Sequence, residues 1–541
     1  MKAFINQTQD IVSESIDGLL ANDKLAKLDS FPEIRVVVRK DWDKSRVALV
    51  SGGGSGHEPT HAGFVGEGML TAAVCGDIFA SPTVDAVLSA IMAVTGDAGC
   101  LLIIKNYTGD RLNFGLAVEQ ARALGYKVET ITVGDDIALG SDVKKRGIAG
   151  TLFVHKIAGQ LAAEGKPLEE VARIARLVAD NTASIGLALT ECQIFGREGE
   201  SRLNETQAEL GLGIHGEPGA EIVKYTNADQ LMQLTADRLN SQLTDANAEY
   251  AILINNLGTV TPIEMNILVN AFRKTTLAKK VKYIVGPSSF MTALNMSGFS
   301  LSALKLTDEI EKALLADAEP AAWINAHRFA EPASITSPVL TEMLPYKPSE
   351  NTPARSLVEK AAKAFIAIEH DINSLDAKVG DGDAGATFAL ASKTILSLSD
   401  KLPYKNGKEL LESIGRIFSR EAGGSSGVLM SIMFTGAANV YEETNDWGKA
   451  LLGGLDKMKQ YGGAKLGDRT MIDSLEPAFE TLAQGGSLQE AANAARKGAD
   501  NTKNIKKTHF GRSSYVPEEL LSGIPDPGAE AMARVFESLA K

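Results

Sequence analysis

Short apolar runs alternate with helical stretches along the first half of the chain. Helices such as SPTVDAVLSAIMAVTG, from Ser81, separate runs rich in Val, Ile and Leu, most of which lead into a glycine-rich turn: IRVVVR from Ile34, RVALVSGGGSG from Arg46, CLLIIKNYTGD from Cys100 and VETITVGDD from Val128. This alternation favours α/β units around a largely parallel, buried sheet. A ligand is then expected at the carboxyl ends of the strands.

Three further apolar runs continue the α/β pattern after a long helical and loop section. They begin at Ser184, Tyr250 and Lys282. We therefore expect two α/β subdomains, residues 1–182 and 183–331. Residues 332–353 contain five prolines, a composition that stiffens a segment and opposes a packed core, so they are interpreted as a linker.

Beyond the linker, residues 354–541 consist of successive amphipathic helices with almost no β-branched runs, so an all-α domain is expected. Glycine clusters fall between these helices: GDGDAG, GGSSG, YGGAKLGD and PDPGA. Glycines at such positions let backbone amides approach an anion.

Composition narrows the possible functions. The 541 residues include 55 basic and 68 acidic side chains, a formal charge of -13, which argues against broad attraction to nucleic acid or an anionic membrane. The three cysteines are widely spaced and fit neither a disulfide framework nor a zinc site, which favours a reducing cytoplasm. We expect no signal peptide, because the first residues, MKAFINQTQD, turn polar before an apolar core could form, and no membrane span, because no later apolar run approaches about 20 residues.

Three aspartates lie within eight residues near the end of a predicted helix, at Asp376, Asp381 and Asp383. Carboxylates on a tight turn suit Mg²⁺, which completes its shell with water and substrate phosphates. A solvated Asp-Gly turn is the alternative. The Gly423–Gly427 run, GGSSG, precedes an apolar helix and would point amides at a phosphate, although an ordinary capped helix would have the same sequence. Together the two motifs favour a nucleotide site.

Polar groups also cluster in the first half. The run Ser51–Pro59 follows a strand but lacks the Gly-Lys-Ser/Thr ending of a P-loop, and His57 stands where the lysine would be expected. Such a loop could bind a small polar substrate, and a purely structural turn is the alternative. Lys105 and Asp110 follow another strand and form either part of the same site or an exposed ion pair. His215 lies on a glycine loop, where it is free to reach a ligand, although a lone histidine is more often structural.

These motifs together resemble those of single-chain, ATP-dependent dihydroxyacetone kinases, and the resemblance runs essentially from end to end. It rests on SGGGSGHEP, KNYTGDRLNFGLA, GLGIHGEPG, DAKVGDGDAG, GGSSGVLMS, GDRTMID and PDPGA. The resemblance implies that the first half binds a triose and that the helical half, similar to an eight-helix barrel, binds Mg-ATP. It further implies a covalent hemiaminal between His215 and the substrate carbonyl, with His57 and Asp110 as acid/base groups.

The remaining site residues also follow from the resemblance. Substrate contacts match Gly54, Ser55, Gly56, His57, Ser81, Lys105 and Asp110, and metal ligands match Asp376, Asp381 and Asp383. Nucleotide contacts match Ala384, Gly385, Ala386, Thr387, Ser425, Ser426, Gly462, Met471, Arg512, Asp526, Pro527 and Gly528. The resemblance also implies a homodimer. An imidazole nitrogen can add to a ketone or aldehyde but not to glycerol, so covalent capture would select by functional group.

Three other functions compete with this interpretation. The first is a phosphoenolpyruvate-driven relay with permanently bound ADP, which the fusion of both halves in one chain disfavours. The second is a lyase that cyclises flavin-adenine dinucleotide. The third is a non-catalytic carbonyl sensor, disfavoured because the aspartates and the substrate groups are all present. The sequence does not decide between dihydroxyacetone and D-glyceraldehyde as substrate.

Overall fold

The computed structural model describes residues 2–140, 143–196, 202–340 and 342–541, except for the side chain of Arg512. The chain forms two compact units that meet between Ala333 and Ser334. This boundary falls at the start of the proline-rich segment. The other limits expected from the sequence, near residues 182 and 353, stay predictions.

The first unit contains a six-stranded sheet with the order β1-β2-β4-β3-β5-β6. Its strands are β1 (Leu25–Lys27), β2 (Val36–Arg39), β3 (Ala48–Ser55), β4 (Ala72–Ile78), β5 (Cys100–Lys105) and β6 (Val128–Val133). Its helices are α1 (Ile11–Leu19), α2 (Val84–Val94), α3 (Thr108–Ala123), α4 (Thr151–Ala163) and α5 (Leu168–Asp180). Strands β4, β3, β5 and β6 run parallel, as expected, and the antiparallel β1 and β2 complete one edge.

The second sheet of this unit has seven strands in the order β13-β11-β10-β12-β7-β8-β9. They are β7 (Thr182–Ala188), β8 (Gln207–Leu210), β9 (Glu221–Lys224), β10 (Tyr250–Asn256), β11 (Val281–Ser288), β12 (Gly298–Lys305) and β13 (His327–Arg328), with helices α6 (Ala228–Asn240), α7 (Pro262–Arg273) and α8 (Asp308–Leu315). Only the β10–β11 pair is parallel. The expectation of a largely parallel sheet is therefore wrong here, because antiparallel neighbours such as β7, β8 and β9 need no crossover helix.

The two sheets share one hydrophobic core. A single apolar cluster includes Leu49 and Ile103 from the first sheet together with Leu253 and Val285 from the second. Helix α4 is buried along most of its length and contacts β3 and β5. Residues from both sheets are thus held at fixed relative positions within one unit.

The second unit is all-α in its described residues, and this prediction is confirmed. Its helices are α9 (Thr352–Ala367), α10 (Glu369–Asp376), α11 (Ala384–Ser397), α12 (Gly407–Glu421), α13 (Gly424–Thr444), α14 (Trp447–Gly462), α15 (Ile472–Ala483), α16 (Leu488–Thr502), α17 (Glu518–Leu521) and α18 (Pro527–Ala540). Eight of them, α9, α11 to α16 and α18, each pack against the next, and α18 closes the ring on α9. This ring is the helical barrel that the resemblance implied.

Amphipathic spacing explains how the barrel helices form. In α12 the side chains of Leu410, Ile414 and Phe418 are buried at intervals of four residues, while Asn406 caps the helix by accepting a hydrogen bond from the amide of Glu409.

Among the helices in the described ranges of the chain, none combines the length and apolar character that crossing a membrane requires.

Candidate active site

The glycine run at the end of β3 lets the backbone of this strand approach the backbone of Phe79 and Ala80. All eight residues of β3 are buried. A Cβ added to Gly54 would lie 2.7 Å from the amide nitrogen of Ala80 and 2.8 Å from the carbonyl carbon of Phe79, so only glycine fits there. The loop that follows therefore passes directly beside the segment that precedes Ser81.

His57 is fully buried just beyond this run. Its Nδ1 lies 2.7 Å from the carbonyl oxygen of Thr292, on the second sheet's side of the unit, and a carbonyl only accepts. Nδ1 must therefore carry the proton, which leaves a lone pair on Nε2, and Nε2 has no hydrogen-bond partner among the described residues. Burial lowers the pKa of His57 well below its usual value, and the charges of Lys105 and His215 lower it further. His57 is consequently a neutral imidazole available as a base.

Lys105 and Asp110 converge on the same glycine run. Lys105 ends β5 and Asp110 lies in the first turn of α3. The position that a Cβ on Gly53 would take is 3.4 Å from Lys105 Nζ and 3.6 Å from Asp110 Oδ2. Ser81 Oγ donates a hydrogen bond to the other oxygen of Asp110. Burial lowers the pKa of Lys105, an effect that the charge of Asp110 opposes.

His215 approaches from the second sheet, on the loop after β8. Its backbone amide donates to Glu217 Oε2 over 3.0 Å, and its Nδ1 lies 3.1 Å from Glu217 Oε1. Burial raises the pKa of Glu217, but hydrogen bonding and charge from His215 outweigh burial and bring it to about 2. An ionised Glu217 accepts a hydrogen bond from Nδ1–H, so the neutral form of the His215 ring has its lone pair on Nε2. Here the imidazole can act as a nucleophile.

The structure thus brings the predicted residues His57, Ser81, Lys105, Asp110 and His215 into one site. The His215 ring lies 4.9 Å from the His57 ring, measured between centroids. Three of the predicted substrate contacts can donate only through their backbone: Gly54 and Gly56, which have no side chain, and Ser55, whose hydroxyl donates to the Gly76 carbonyl over 2.8 Å.

Sequence reasoning missed three groups that shape this site. Glu217 orients His215 and Thr292 orients His57, while the ring of Tyr107 packs edge-on against His215 with a centroid distance of 4.6 Å. Glu217 lies two residues after His215 inside a quoted motif, so its spacing was a usable signal. Thr292 offered none, because it acts through a backbone carbonyl far along the chain.

The second unit holds a separate cavity of about 500 Å³. It is lined by most of the residues expected to bind metal and nucleotide: Asp376, Asp381, Asp383, Ala384, Thr387, Ser425, Ser426, Gly462, Met471, Asp526, Pro527 and Gly528. Gly385 and Ala386 are not in the lining. The amide of Ala386 instead donates to Asn373 Oδ1 over 3.0 Å, and a Cβ on Gly385 would meet the Glu369 carbonyl oxygen at 2.3 Å. The side chain of Arg512 lies outside the described residues.

The three aspartates form a compact donor set. Asp376, Asp381 and Asp383 each offer a carboxylate oxygen, and these oxygens lie within 4.8 Å of one another. Asp376 Oδ2 accepts hydrogen bonds from the amides of Gly382, at 3.0 Å, and Asp383, at 3.1 Å. These bonds fix the turn that carries the other two carboxylates. Such a set of oxygen donors fits Mg²⁺.

The start of α13 faces the same cavity. Gly423 precedes this 21-residue helix, and among the side chains that the structure describes none caps it. Its first amides are therefore free to donate to an anion, beside Ser425 and Ser426.

Two other groups in the lining have structural roles. Asp526 caps α18 by accepting a hydrogen bond from the amide of Ala529 over 2.8 Å, and burial raises its pKa to about 7. Sequence reasoning missed Arg469, which is 1% exposed and donates to the Ile524 carbonyl over 2.9 Å.

Both halves of the chain match known domains. The Dak1 domain matches residues 18–322, and the DAK2 domain matches residues 378–541. The chain is 49% identical to the dihydroxyacetone kinase of Citrobacter freundii over 99% of both chains. It is 36% identical to the human triokinase/FMN cyclase, over 99% of this chain and 98% of that protein. The crystal structure of the C. freundii kinase in complex with AMP-PNP and Mg²⁺ has a TM-score of 0.75 and 47% identity, over 100% of this chain and 99% of that one.

Proposed function

The chain belongs to the dihydroxyacetone kinase family, as its motifs predicted, and we propose that it transfers the γ-phosphate of ATP to dihydroxyacetone after capturing the triose covalently on His215. The observation that carries this proposal is the pair of imidazoles of His57 and His215, whose Nδ1 atoms lie against the Thr292 carbonyl and Glu217, so that Nε2 is the reactive nitrogen of each ring. They lie beside Lys105 and Asp110 in one unit, while the other unit holds a carboxylate cluster and an uncapped helix start.

Capture begins at the Nε2 lone pair of His215. This nitrogen adds to the carbonyl carbon of the triose, a C–N bond forms, and the electron pair of the C=O π bond moves to the oxygen. The oxygen takes a proton from the buried Lys105 ammonium, whose pKa is lowered, while the proton on Nδ1 stays on the ring and is hydrogen-bonded to ionised Glu217. The product is a hemiaminal whose imidazolium is paired with the Glu217 carboxylate. Glycerol has no carbonyl, so it cannot be held in this way.

Transfer then needs a base for the hydroxyl that attacks the phosphate. His57 Nε2 is the suitable group, because its Nδ1–H is held by Thr292 and its low pKa keeps it unprotonated near neutral pH. Asp110, with one oxygen held by Ser81, can orient a hydroxyl through the other. The substrate unit thus supplies orientation and proton acceptance.

In the helical unit, the chain's own groups hold and align the phosphates. The amides at the start of α13, with Ser425 and Ser426, would donate to phosphate oxygens, and Asp376, Asp381 and Asp383 would hold Mg²⁺. When bound, Mg²⁺ screens negative charge on the phosphoryl oxygens. Met471 and Gly462 line the same cavity and would contact the nucleotide.

The direct test is production of ADP by the purified chain with Mg-ATP and dihydroxyacetone, with glycerol as the control. We expect turnover with dihydroxyacetone and little with glycerol. Native mass spectrometry should show a triose adduct, lost when His215 is replaced. Equal turnover with both substrates, or no adduct on the wild-type chain, would contradict covalent capture.

Exchange of bound nucleotide separates this kinase from a relay with permanently held ADP. A kinase must release ADP in every cycle, so labelled ATP should exchange freely. Activity toward D-glyceraldehyde and a homodimeric assembly stay predictions based on the resemblance, and a cytoplasmic location stays a prediction based on the cysteine pattern.

A further inference from the structure

The substrate site combines residues that follow strands of two different sheets. Contacts between these segments must therefore fix the site residues relative to one another. His57, Lys105 and Asp110 follow strands of the first sheet, whereas His215 lies on a loop that leaves β8 in the second. Nucleophilic addition requires the reacting atoms to meet within about 3 to 3.5 Å, and small misplacements are costly. The loop therefore needs an anchor on the side of the first sheet.

Arg146 provides contacts of this kind. It lies between β6 and α4, and its Nη2 donates to the Gly211 carbonyl over 2.8 Å, at the start of the His215 loop. Its Nε donates to Asp136 Oδ2 over 2.7 Å. One guanidinium thus joins the carboxylate of Asp136, on the segment between β6 and α4, to a backbone carbonyl just after β8.

Asp136 is itself fixed to the framework, because it forms a β-bridge with Ser184 in β7. Its other oxygen accepts a hydrogen bond from the amide of Ala138 over 2.9 Å, and its amide donates to the carbonyl of Arg146 over 3.0 Å. The side chains of Arg146 and Asp136 are only 10% and 4% exposed. Removing one partner of such a buried pair leaves the other charge uncompensated.

The His215 loop is closely fitted around the guanidinium. A Cβ added to Gly213 would lie 1.9 Å from Glu217 Oε2 and 2.6 Å from Arg146 Nη1. Arg146 and the carboxylate that orients His215 therefore lie on the same side of Gly213. Any shift of Arg146 leaves a gap beside the His215–Glu217 pair.

We propose that Arg146 is a positioning residue for covalent capture: anchored on Asp136, it holds the His215 loop at Gly211 and Gly213 so that the imidazole faces the carbonyl of the triose. This inference rests on the proposed function of His215. Arg146 acts through the loop, by its contacts at Gly211 and Gly213.

The test compares Arg146→Met, Arg146→Lys and a matched control, Arg39→Met, in the full-length chain. Arg39 is also a buried arginine of the first sheet, 7% exposed, and its Nη2 pairs with Asp41 over 2.8 Å, but it does not contact the His215 loop. The measurements are the adduct fraction in native mass spectra at fixed dihydroxyacetone, the KM values for dihydroxyacetone and ATP, and the thermal midpoint.

We expect Arg146→Met to raise the KM for dihydroxyacetone roughly tenfold or more, because hydrogen bonds to a charged group are lost, and to reduce the adduct fraction in parallel. The KM for ATP should not change. Arg146→Lys can keep only one of the two contacts and should recover part of the adduct. Arg39→Met should lower the thermal midpoint while the adduct fraction stays at the wild-type value.

Two results would overturn the inference. One is a folded Arg146→Met or Arg146→Lys with wild-type adduct fraction and KM. The other is an equal loss of adduct in Arg39→Met, since that would trace the effect to general destabilisation. Should Arg146→Met fail to fold, Arg146→Lys carries the same comparison. Absence of the adduct in the wild-type chain would instead refute the proposed role of His215, so the two failures are distinguishable.

Discussion

His215 is the residue on which substrate selection depends. Replacement by alanine removes the nucleophilic Nε2 and leaves Glu217, Lys105 and Asp110 in place, so binding of dihydroxyacetone should weaken more than phosphoryl transfer itself. We expect His215→Ala to lose the adduct and to narrow the preference for dihydroxyacetone over glycerol. The measurement is the ratio of kcat/KM for the two substrates in both proteins.

His327 offers the matched control for that substitution, since it lies on the exposed β13 away from the site. His327→Ala should keep both the adduct and the ratio. An unchanged ratio in His215→Ala, or a persistent adduct, would show that another residue selects the carbonyl.

Substitution of the aspartates in the helical unit should remove phosphoryl transfer and leave triose capture intact. Asp381→Asn or Asp383→Asn removes an anionic oxygen ligand with little change of volume, so turnover should fall to near background. Triose capture should remain intact, because His215 belongs to the other unit. Activity assays and native mass spectra of the same samples test both points.

Asp456, an exposed carboxylate on α14 outside the nucleotide cavity, is the control here. Asp456→Asn should retain full turnover. If the Asp381 or Asp383 variant stays folded but loses the adduct as well, the division of labour between the units is wrong.

At the scale of elements, the turn after β3 depends on close backbone approach. Gly54→Ala would place a methyl group 2.7 Å from the amide of Ala80, and the backbone must shift at a cost of about 1–3 kcal/mol. The glycine run would then move away from Lys105 and Asp110. We expect a raised KM for dihydroxyacetone with the KM for ATP unchanged.

Gly115, in the middle of α3, has nothing within 4 Å of an added Cβ. Gly115→Ala should therefore stabilise the chain by about 0.5–1 kcal/mol through helix propensity, with no change in KM. Equal kinetics for Gly54→Ala and Gly115→Ala would show that the turn tolerates displacement.

Strong periodic patterns predicted the all-α character of the second unit and seven of the described strands: β2, β3, β5, β6, β7, β10 and β11. Continuous apolar runs such as the one from Cys100 became buried strands, and the four-residue spacing of Leu410, Ile414 and Phe418 became the inner face of α12. Strands such as β8 and β9 were missed because four residues carry too little pattern. The antiparallel order of the second sheet could not be read either, since strand direction depends on pairing between distant segments.

The candidate sites show the same difference between features that local sequence patterns reveal and features that depend on distant segments. His215 and Asp376 were predicted as site residues from their motifs and the family resemblance, and both lie in the candidate sites. Partners that act through backbone groups were not predicted, because any residue type supplies a carbonyl: Thr292 holds His57 and Gly211 receives Arg146. Gly385 and Ala386 show the converse, since their motif suggested nucleotide contacts but they do not line the cavity.

For the whole molecule, the boundary between Ala333 and Ser334 predicts that the two units can be separated. Expressed apart, the first should form the triose adduct and the second should bind Mg-ATP, because each encloses its own core. Neither should phosphorylate alone. Turnover that returns on mixing and rises with concentration would support this, whereas full activity of the helical unit alone would contradict the two-site arrangement.

Buried histidines predict acid sensitivity of the first unit. His155 is fully buried, neither ring nitrogen has a partner among the described residues, and burial lowers its pKa to about 3. The unfolded chain binds a proton there below pH about 6.5 while the folded chain does not, so stability falls as pH drops from that value. We expect His155→Leu to flatten the dependence of Tm on pH between about 6.5 and 5.

His370→Leu is the control for this measurement, because the His370 side chain is 93% exposed. Its pH dependence should follow that of the wild type. A His155→Leu profile parallel to the wild type would mean that the buried imidazole is protonated in the folded chain, or that other groups set the acid limit.

The hydrogen bond between His57 and the Thr292 carbonyl has a consequence for the order in which the protein becomes competent. Its partners lie 235 residues apart, and a second link, from Thr60 to the carbonyl of Phe290, spans 230. Contacts between such distant residues form late, after the local elements. During synthesis, the glycine run would be complete long before the carbonyl that orients His57 leaves the ribosome. In a refolding experiment, the time at which the triose adduct first forms therefore reports when the two sheets dock. It does not report when either sheet forms.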